Sequence, residues 1–145
     1  MLKSFWFWLL IAFLSIQFIS MEVPAILKNN PIDEINAPKE VLNILKRSCY
    51  DCHSSRVKEP WYYSIAPASW YTQLHVKNGR KFVNFSEWGN YSKNQKIKII
   101  DKLPKAIVIR MPMLSYLYLH EEAKLSSKEK KLLTKWAREL KEELK

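Results

Sequence analysis

Apolar positions along the chain recur in helical periods rather than strand periods. The clearest case lies near the carboxyl end, where Leu132, Leu133, Trp136, Leu140 and Leu144 step by three and four residues, with Lys, Arg and Glu between them. Ser126 followed three residues later by Glu129 is a capping-box signature for the start of that helix. Ser92-x-x-Gln95 has the same form and predicts a second helix with Ile97, Ile100 and Leu103 on its buried face, ended by Pro104. A third stripe, Val41, Leu42, Leu45 and Cys49, predicts a helix starting at Pro38. Between these, residues 59–91 are aromatic and irregular. Ala66 to His75 predicts a short helix, Asn78-Gly79 a turn, and Asn84-Phe-Ser-Glu-Trp88 a turn or helix start. No strand pattern of comparable quality and no internal repeat is present. The expected fold class is all-α, with an early helix ending near Cys49 and a late helix packed across it.

The amino end differs. After Lys3, residues 5–19 are apolar but for Ser15 and Gln17. A basic start before such a run resembles a secretory signal. It is short for a membrane span, which needs about 17–25 residues, and extension to Met21 only reaches the lower limit. Val23-Pro-Ala25 offers small residues for cleavage, but Glu22 and Pro24 weaken it and no A-x-A motif occurs, so an uncleaved inner-membrane anchor is the favoured expectation. Secretion into the periplasm after cleavage is the other. The chain thus divides into a hydrophobic signal or anchor segment (1–21), a linker broken by Pro24, Pro31 and Pro38 (22–38), and a helical domain (39–145).

Composition adds one decisive element. The chain has 145 residues, two cysteines and three histidines, and both cysteines and one histidine fall in Cys49-Tyr-Asp-Cys52-His53. C-x-x-C-H reads as a c-type haem attachment site: two thiols spaced to add across two vinyl groups, with the adjacent imidazole placed as the proximal iron ligand. The six Trp and seven Tyr against two Gly suit a domain wrapped round a flat cofactor, although they are also ordinary core material. Covalent haem attachment in bacteria belongs to the extracytoplasmic face, in agreement with the exported amino end. An oxidising compartment would equally allow a Cys49–Cys52 disulfide.

Several further motifs occur in order with this one: Cys49-Tyr-Asp-Cys-His-Ser-Ser, Pro60-Trp-Tyr-Tyr-Ser-Ile-Ala-Pro67, Trp70, His75-Val-x-x-Gly-Arg80, Asn84 to Trp88, Met111-Pro112, Tyr116, His120, Ala123-x-Leu-Ser126 and Trp136. Together they resemble the bacterial haem-binding domain family, akin to small c-type cytochromes, from about Val41 to Trp136. The resemblance implies one covalent haem c within a cytochrome c-like helical fold. It sharpens fold and cofactor more than biological role.

The sixth iron position decides the function. Small c-type cytochromes commonly carry a distal methionine well downstream, often followed by proline, and Met111-Pro112 looks like that arrangement. A thioether there would stabilise ferrous iron and raise the potential. His75, Met113 and His120 are the other candidates. Arg80 is the nominated partner of a haem propionate, because guanidinium matches carboxylate in a two-bond fork. A formal net charge of +10 invites nucleic acid, but the lysines are interleaved with glutamates along helices. Anionic lipid headgroups or an acidic redox partner fit better, beside the plain alternative of solvated helix faces.

Three classes follow. The first is a non-enzymatic electron carrier, extracytoplasmic, with no small-molecule substrate. The second is a haem sensor or peroxidase-like protein with an open distal site and His75 as its acid–base group. The third is haem-free, with Cys49 and Cys52 as a thioredoxin-like dithiol or as zinc ligands with His75 and His120. It lacks the βαβ pattern of the former and the paired ligand spacing of the latter.

Overall fold

The structure, a computed structural model, describes residues 2–19 and 31–145, with side chains described from Ser4 onward. Every regular element among them is helical: α1 (Leu2–Ile16), α2 (Lys39–Ser48), α3 (Tyr50–His53), α4 (Ala68–Phe82), α5 (Lys93–Ile109), α6 (Leu114–Leu117) and α7 (Ser127–Glu143). Short 3-10 turns at Pro31–Asp33, Trp61–Ser64, Phe85–Asn90 and Glu121–Ala123 punctuate the connections. The all-α expectation agrees with this.

Both capping boxes form. Ser92 accepts from the Gln95 amide while the Gln95 side chain accepts from Ser92 N at 2.9 Å. Ser126 and Glu129 do the same, with Glu129 Oε2 2.8 Å from Ser126 N. Helix α7 then packs on both α5 and α2. Ile100 and Ile107 of α5, Leu133 and Trp136 of α7, and Val41 and Leu45 of α2 are buried in one core, which Tyr50, Phe85 and Trp88 join from the haem-motif side. Arg47 of α2 reaches Glu129 of α7 at 2.7 Å and staples the two at their exposed edge.

Two local signals mislead. Pro104 does not end α5, which continues to Ile109 with the proline inside it. An interior proline costs about 3 kcal/mol through its missing N–H and its ring clash. Here the extra turn buries Ile107 to 1% exposure against the core, a gain of similar size. Asn78-Gly79 is not a turn either, since α4 runs straight through it. Gly79 serves a close approach: a Cβ there would lie 2.5 Å from the Cys52 carbonyl oxygen.

The cleavage candidate, Val23-Pro-Ala25, and most of the 22–38 linker lie outside the described residues. Its described end lies on the domain. Ile35 is 2% exposed and its N–H donates to the Phe85 carbonyl at 2.9 Å. Helix α1, of 15 residues, is apolar from Phe5 to Leu14, and no helix among the described residues is long and apolar enough to cross a membrane.

The Glu129 contacts make a pH prediction. Its capping bond from Ser126 N, with Arg47 beside it, holds its carboxyl below the ordinary 4.5. A depressed carboxylate contributes stability that is present above its ordinary value and is lost as pH falls through the folded value. Glu129→Gln should therefore lower Tm at pH 7 by an amount corresponding to about 0.5–1 kcal/mol, and the difference from the parent should shrink below pH 4.5. Thermal melts across that range check it; a difference that stays constant with pH would refute the capping account.

Candidate functional site

Cys49, Cys52 and His53 sit on and just before α3, a helix of four residues. So short a helix has no stability of its own, and its geometry is imposed from outside. Cys49 breaks the run from α2 with φ −130° and ψ −33°, which turns α3 away from the axis of α2. Tyr50 is buried, its ring stacked on Phe85 at 5.8 Å and its hydroxyl donating to Glu34 at 3.1 Å. Downstream, Ser54 and Ser55 are almost fully buried. Ser54 Oγ donates to the Tyr50 carbonyl at 2.8 Å, Ser55 N donates to Ser86 Oγ, and Asn84 Nδ2 donates to Ser55 Oγ at 2.8 Å. The motif is thus clamped on both sides.

His53 Nδ1 lies 3.3 Å from the Val83 carbonyl oxygen. A carbonyl only accepts, so Nδ1 carries the proton and Nε2 keeps its lone pair in the neutral ring. Burial also pushes the His53 pKa below its ordinary value, which favours that neutral form. A carbonyl behind an imidazole is the usual way of orienting one as a metal ligand. The two thiols are unpaired and half-buried. Burial raises them to about 12 for Cys49 and about 11 for Cys52, so both are neutral thiols at pH 7.

Helix α4 forms one wall. Tyr71, His75 and Gly79 fall at four-residue steps along one stripe. Gly79 abuts the Cys52 carbonyl, and Tyr71 Oη lies 2.8 Å from Ser115 Oγ on α6. From the same helix as Ser115, Tyr116 donates to Asp51 Oδ2 at 2.6 Å, returning to α3. These contacts close a ring through α3, α4 and the segment from Met111 to His120. Met111 enters that segment directly from α5, its N–H donating to the Ala106 carbonyl at 2.9 Å. Met111 and Met113 are both half-buried.

The remaining nominated residues have these places. His75 is half-buried, with Nδ1 2.7 Å from the Tyr71 carbonyl, so its Nε2 is the lone-pair nitrogen. His120 is engaged on both nitrogens, with Tyr62 Oη at 2.7 Å and Glu122 at 3.1 Å, and its ring stacks on Tyr116 at 4.3 Å. Arg80 Nε donates to the Ser54 carbonyl at 2.9 Å, so part of its guanidinium fastens the end of α3 to α4. Sequence reasoning did not single out Asp51, Tyr62, Asn84 or Ser86 for this role. Their partners stand tens of residues away in the chain, so no local pattern marks them.

The donor set fits a c-type haem: two neutral, unpaired thiols around one helical turn and an adjacent imidazole with its outer nitrogen already bonded. A family model described as a haem-binding domain matches residues 11–139. The chain belongs to the haem-binding domain family. No curated protein and no solved structure matches it. The haem-free alternatives find little in the site. Among the described residues no three His, Cys, Asp or Glu side chains converge as a metal-ion cluster, so Cys49, Cys52, His75 and His120 do not form a zinc tetrad. Two thiols pushed upward are the reverse of the lowered pKa that a redox-active dithiol needs.

Gly79 tests the packing. Alanine there would gain up to about 1 kcal/mol of helix propensity, but its methyl would meet a backbone carbonyl that cannot yield, costing about 1–3 kcal/mol. Gly79→Ala should lower Tm, whereas alanine at the exposed Asn78 should leave it nearly unchanged. A melting experiment in which Gly79→Ala stabilises the protein would refute the close approach.

Proposed function

We propose that this haem-binding domain protein is a single-haem, c-type electron carrier working on the extracytoplasmic side of the inner membrane, to which α1 anchors it. Cys49 and Cys52 would hold the haem as thioethers, with His53 and Met111 as its iron donors. The observation that carries the reading is the state of the motif itself: both thiols unpaired beside a His53 ring whose Nδ1 is taken by the Val83 carbonyl. When bound, the haem would supply reversible one-electron chemistry.

The residues contribute orientation and exclusion. The Val83 carbonyl fixes the His53 tautomer and makes Nε2 the more basic nitrogen. Burial and, for Tyr62 and Tyr116, the Asp51 carboxylate raise the pKa of the Tyr62, Tyr63 and Tyr116 phenols and so disfavour their phenolate forms. The Tyr116–Asp51 bond draws the segment after Met111 towards α3, which favours Met111 as the second donor to the iron. Arg80, already holding Ser54, is the proposed propionate partner. The excess of basic residues serves docking to an acidic redox protein by charge-steered encounter, which weakens with salt.

A second reading has one observation in its favour. His75 lies on the α4 stripe between Tyr71 and Gly79 with Nδ1 bonded to the Tyr71 carbonyl, which leaves Nε2 as the nitrogen for either a second iron donor or the acid–base group of an open, peroxide- or gas-binding site.

Protein matured with haem-attachment machinery should give a pyridine haemochrome spectrum and keep its haem through acid–acetone extraction. Cys49→Ala/Cys52→Ala should lose it, and matured parent protein without the haemochrome would refute the assignment. Ferric parent should show the long-wavelength sulfur-to-iron band, and Met111→Ala should abolish it and lower the reduction potential. If the band is missing in the parent and reduced protein binds carbon monoxide at once, the open-site reading replaces the carrier.

A further inference from the structure

Helix α1 carries large apolar side chains in every direction. Each residue from Phe5 to Ile11 is more than a third exposed, and seven consecutive positions at 100° steps leave no polar face and no face buried on the domain. Yet the end of α1 is bonded to the domain at two points. Gln17 Oε1 accepts from Ala66 N at 2.9 Å, and Gln17 Nε2 donates to the Ala66 carbonyl at 3.2 Å. Its amide therefore satisfies both backbone groups of one residue, as a neighbouring strand would. Trp70 Nε1 then donates to the Ile19 carbonyl at 2.8 Å. A loose tether needs neither contact.

These ties put a particular face of the domain beside the end of α1. Ile65 adjoins Ala66, and Tyr71 and Leu74 adjoin Trp70 on α4; all three are 39–49% exposed. Tyr71 bonds Ser115, which brings up Leu114 and Tyr118 of the next segment, 77% and 86% exposed. Tyrosine and tryptophan beside aliphatic side chains make up the composition favoured at a bilayer–water boundary.

We propose that this face docks into the interfacial layer of an anionic phospholipid bilayer, with Gln17 and Trp70 fixing the orientation of the haem domain on it. The inference rests on α1 being a membrane anchor, and it adds the surface and the device that orients it. Lipid is the occupant because the face continues directly from Phe18 and Ile19, 89% and 57% exposed, at the point where α1 would leave the hydrocarbon. The net charge of +10 adds attraction for anionic headgroups.

The test uses the full haem-loaded chain in nanodiscs of phosphatidylethanolamine and phosphatidylglycerol, with hydroxyl-radical footprinting read by mass spectrometry. The comparison is Gln17→Ala/Trp70→Phe, which removes the ties while keeping an aromatic ring. Tyr71 and Tyr118 should oxidise about fivefold more slowly in the parent than in the variant. Phe82, 71% exposed and about 16 Å further along α4, should react equally in both. Buried Phe85 and Trp88 report whether the variant is folded, and the single variant Gln17→Ala replaces it if they become reactive. Equal tyrosine rates in parent and variant, with both retained in the nanodisc, would overturn the docking while leaving the anchor intact. An intact mass showing protein cut before the domain would overturn the anchor, and the docking with it.

Discussion

The close approach of α4 to the backbone of α3 is the constraint on which the site depends. Four residues cannot hold a helical turn by their own hydrogen bonds, because nucleation costs more than so few bonds return. The turn carrying Cys52 and His53 persists because neighbours fix it from three sides. Gly79 lets α4 press against the Cys52 carbonyl, Arg80 holds the Ser54 carbonyl, and Val83 offers its carbonyl to His53. All three holding groups lie within one and a half turns of each other at the end of α4. A single helix end thus determines the rotamer space of the imidazole and the position of the second thiol. The polar pairs behind it, Ser55 with Ser86 and Asn84, are buried and mutually satisfied, so displacing the turn would orphan several buried groups at once.

How much of this was legible beforehand depended on whether the cause was local. The capping boxes at Ser92 and Ser126 and the stripe from Leu132 to Leu144 are local, and they describe the helices that form. The 49–53 motif is local as well, since its chemistry needs fixed spacing within one turn. Pro104 and Asn78-Gly79 were misleading for a common reason. Each is a helix breaker by local propensity, and each is overruled by packing against a distant element, Ile107 in the core and Gly79 on Cys52. The clamp around the motif was illegible for the same reason. Asp51 finds Tyr116 and His53 finds Val83 only once the chain has folded, and neither pair leaves a periodic trace.

The histidines show how geometry sorts residues that composition cannot. All three could ligate iron on type alone. His120 has both ring nitrogens engaged, by Tyr62 and Glu122, and lies stacked on Tyr116, so its use as an iron donor would mean breaking a satisfied network. His53 and His75 each spend Nδ1 on a backbone carbonyl and keep Nε2. They differ in support. His53 is held by a carbonyl thirty residues away, which anchors the ring to the fold, whereas His75 bonds back along its own helix, which restrains the ring but ties it to nothing else.

The continuation of α5 past Pro104 matters for the distal side. Had the helix stopped there, Met111 would lie in a loop with seven residues of slack. Instead it follows directly on a helix packed against α7, and its own N–H is bonded to Ala106. Its backbone is therefore located by the core, and a few residues later Tyr116 fastens the same segment to Asp51, the neighbour of Cys52. A thioether has three flexible torsions and adapts to a fixed backbone, while an imidazole on α4 must be delivered in one orientation by the helix itself. With its backbone held at both ends of the segment and its side chain free to adjust, Met111 suits the second iron-donor role proposed for it better than His75 does.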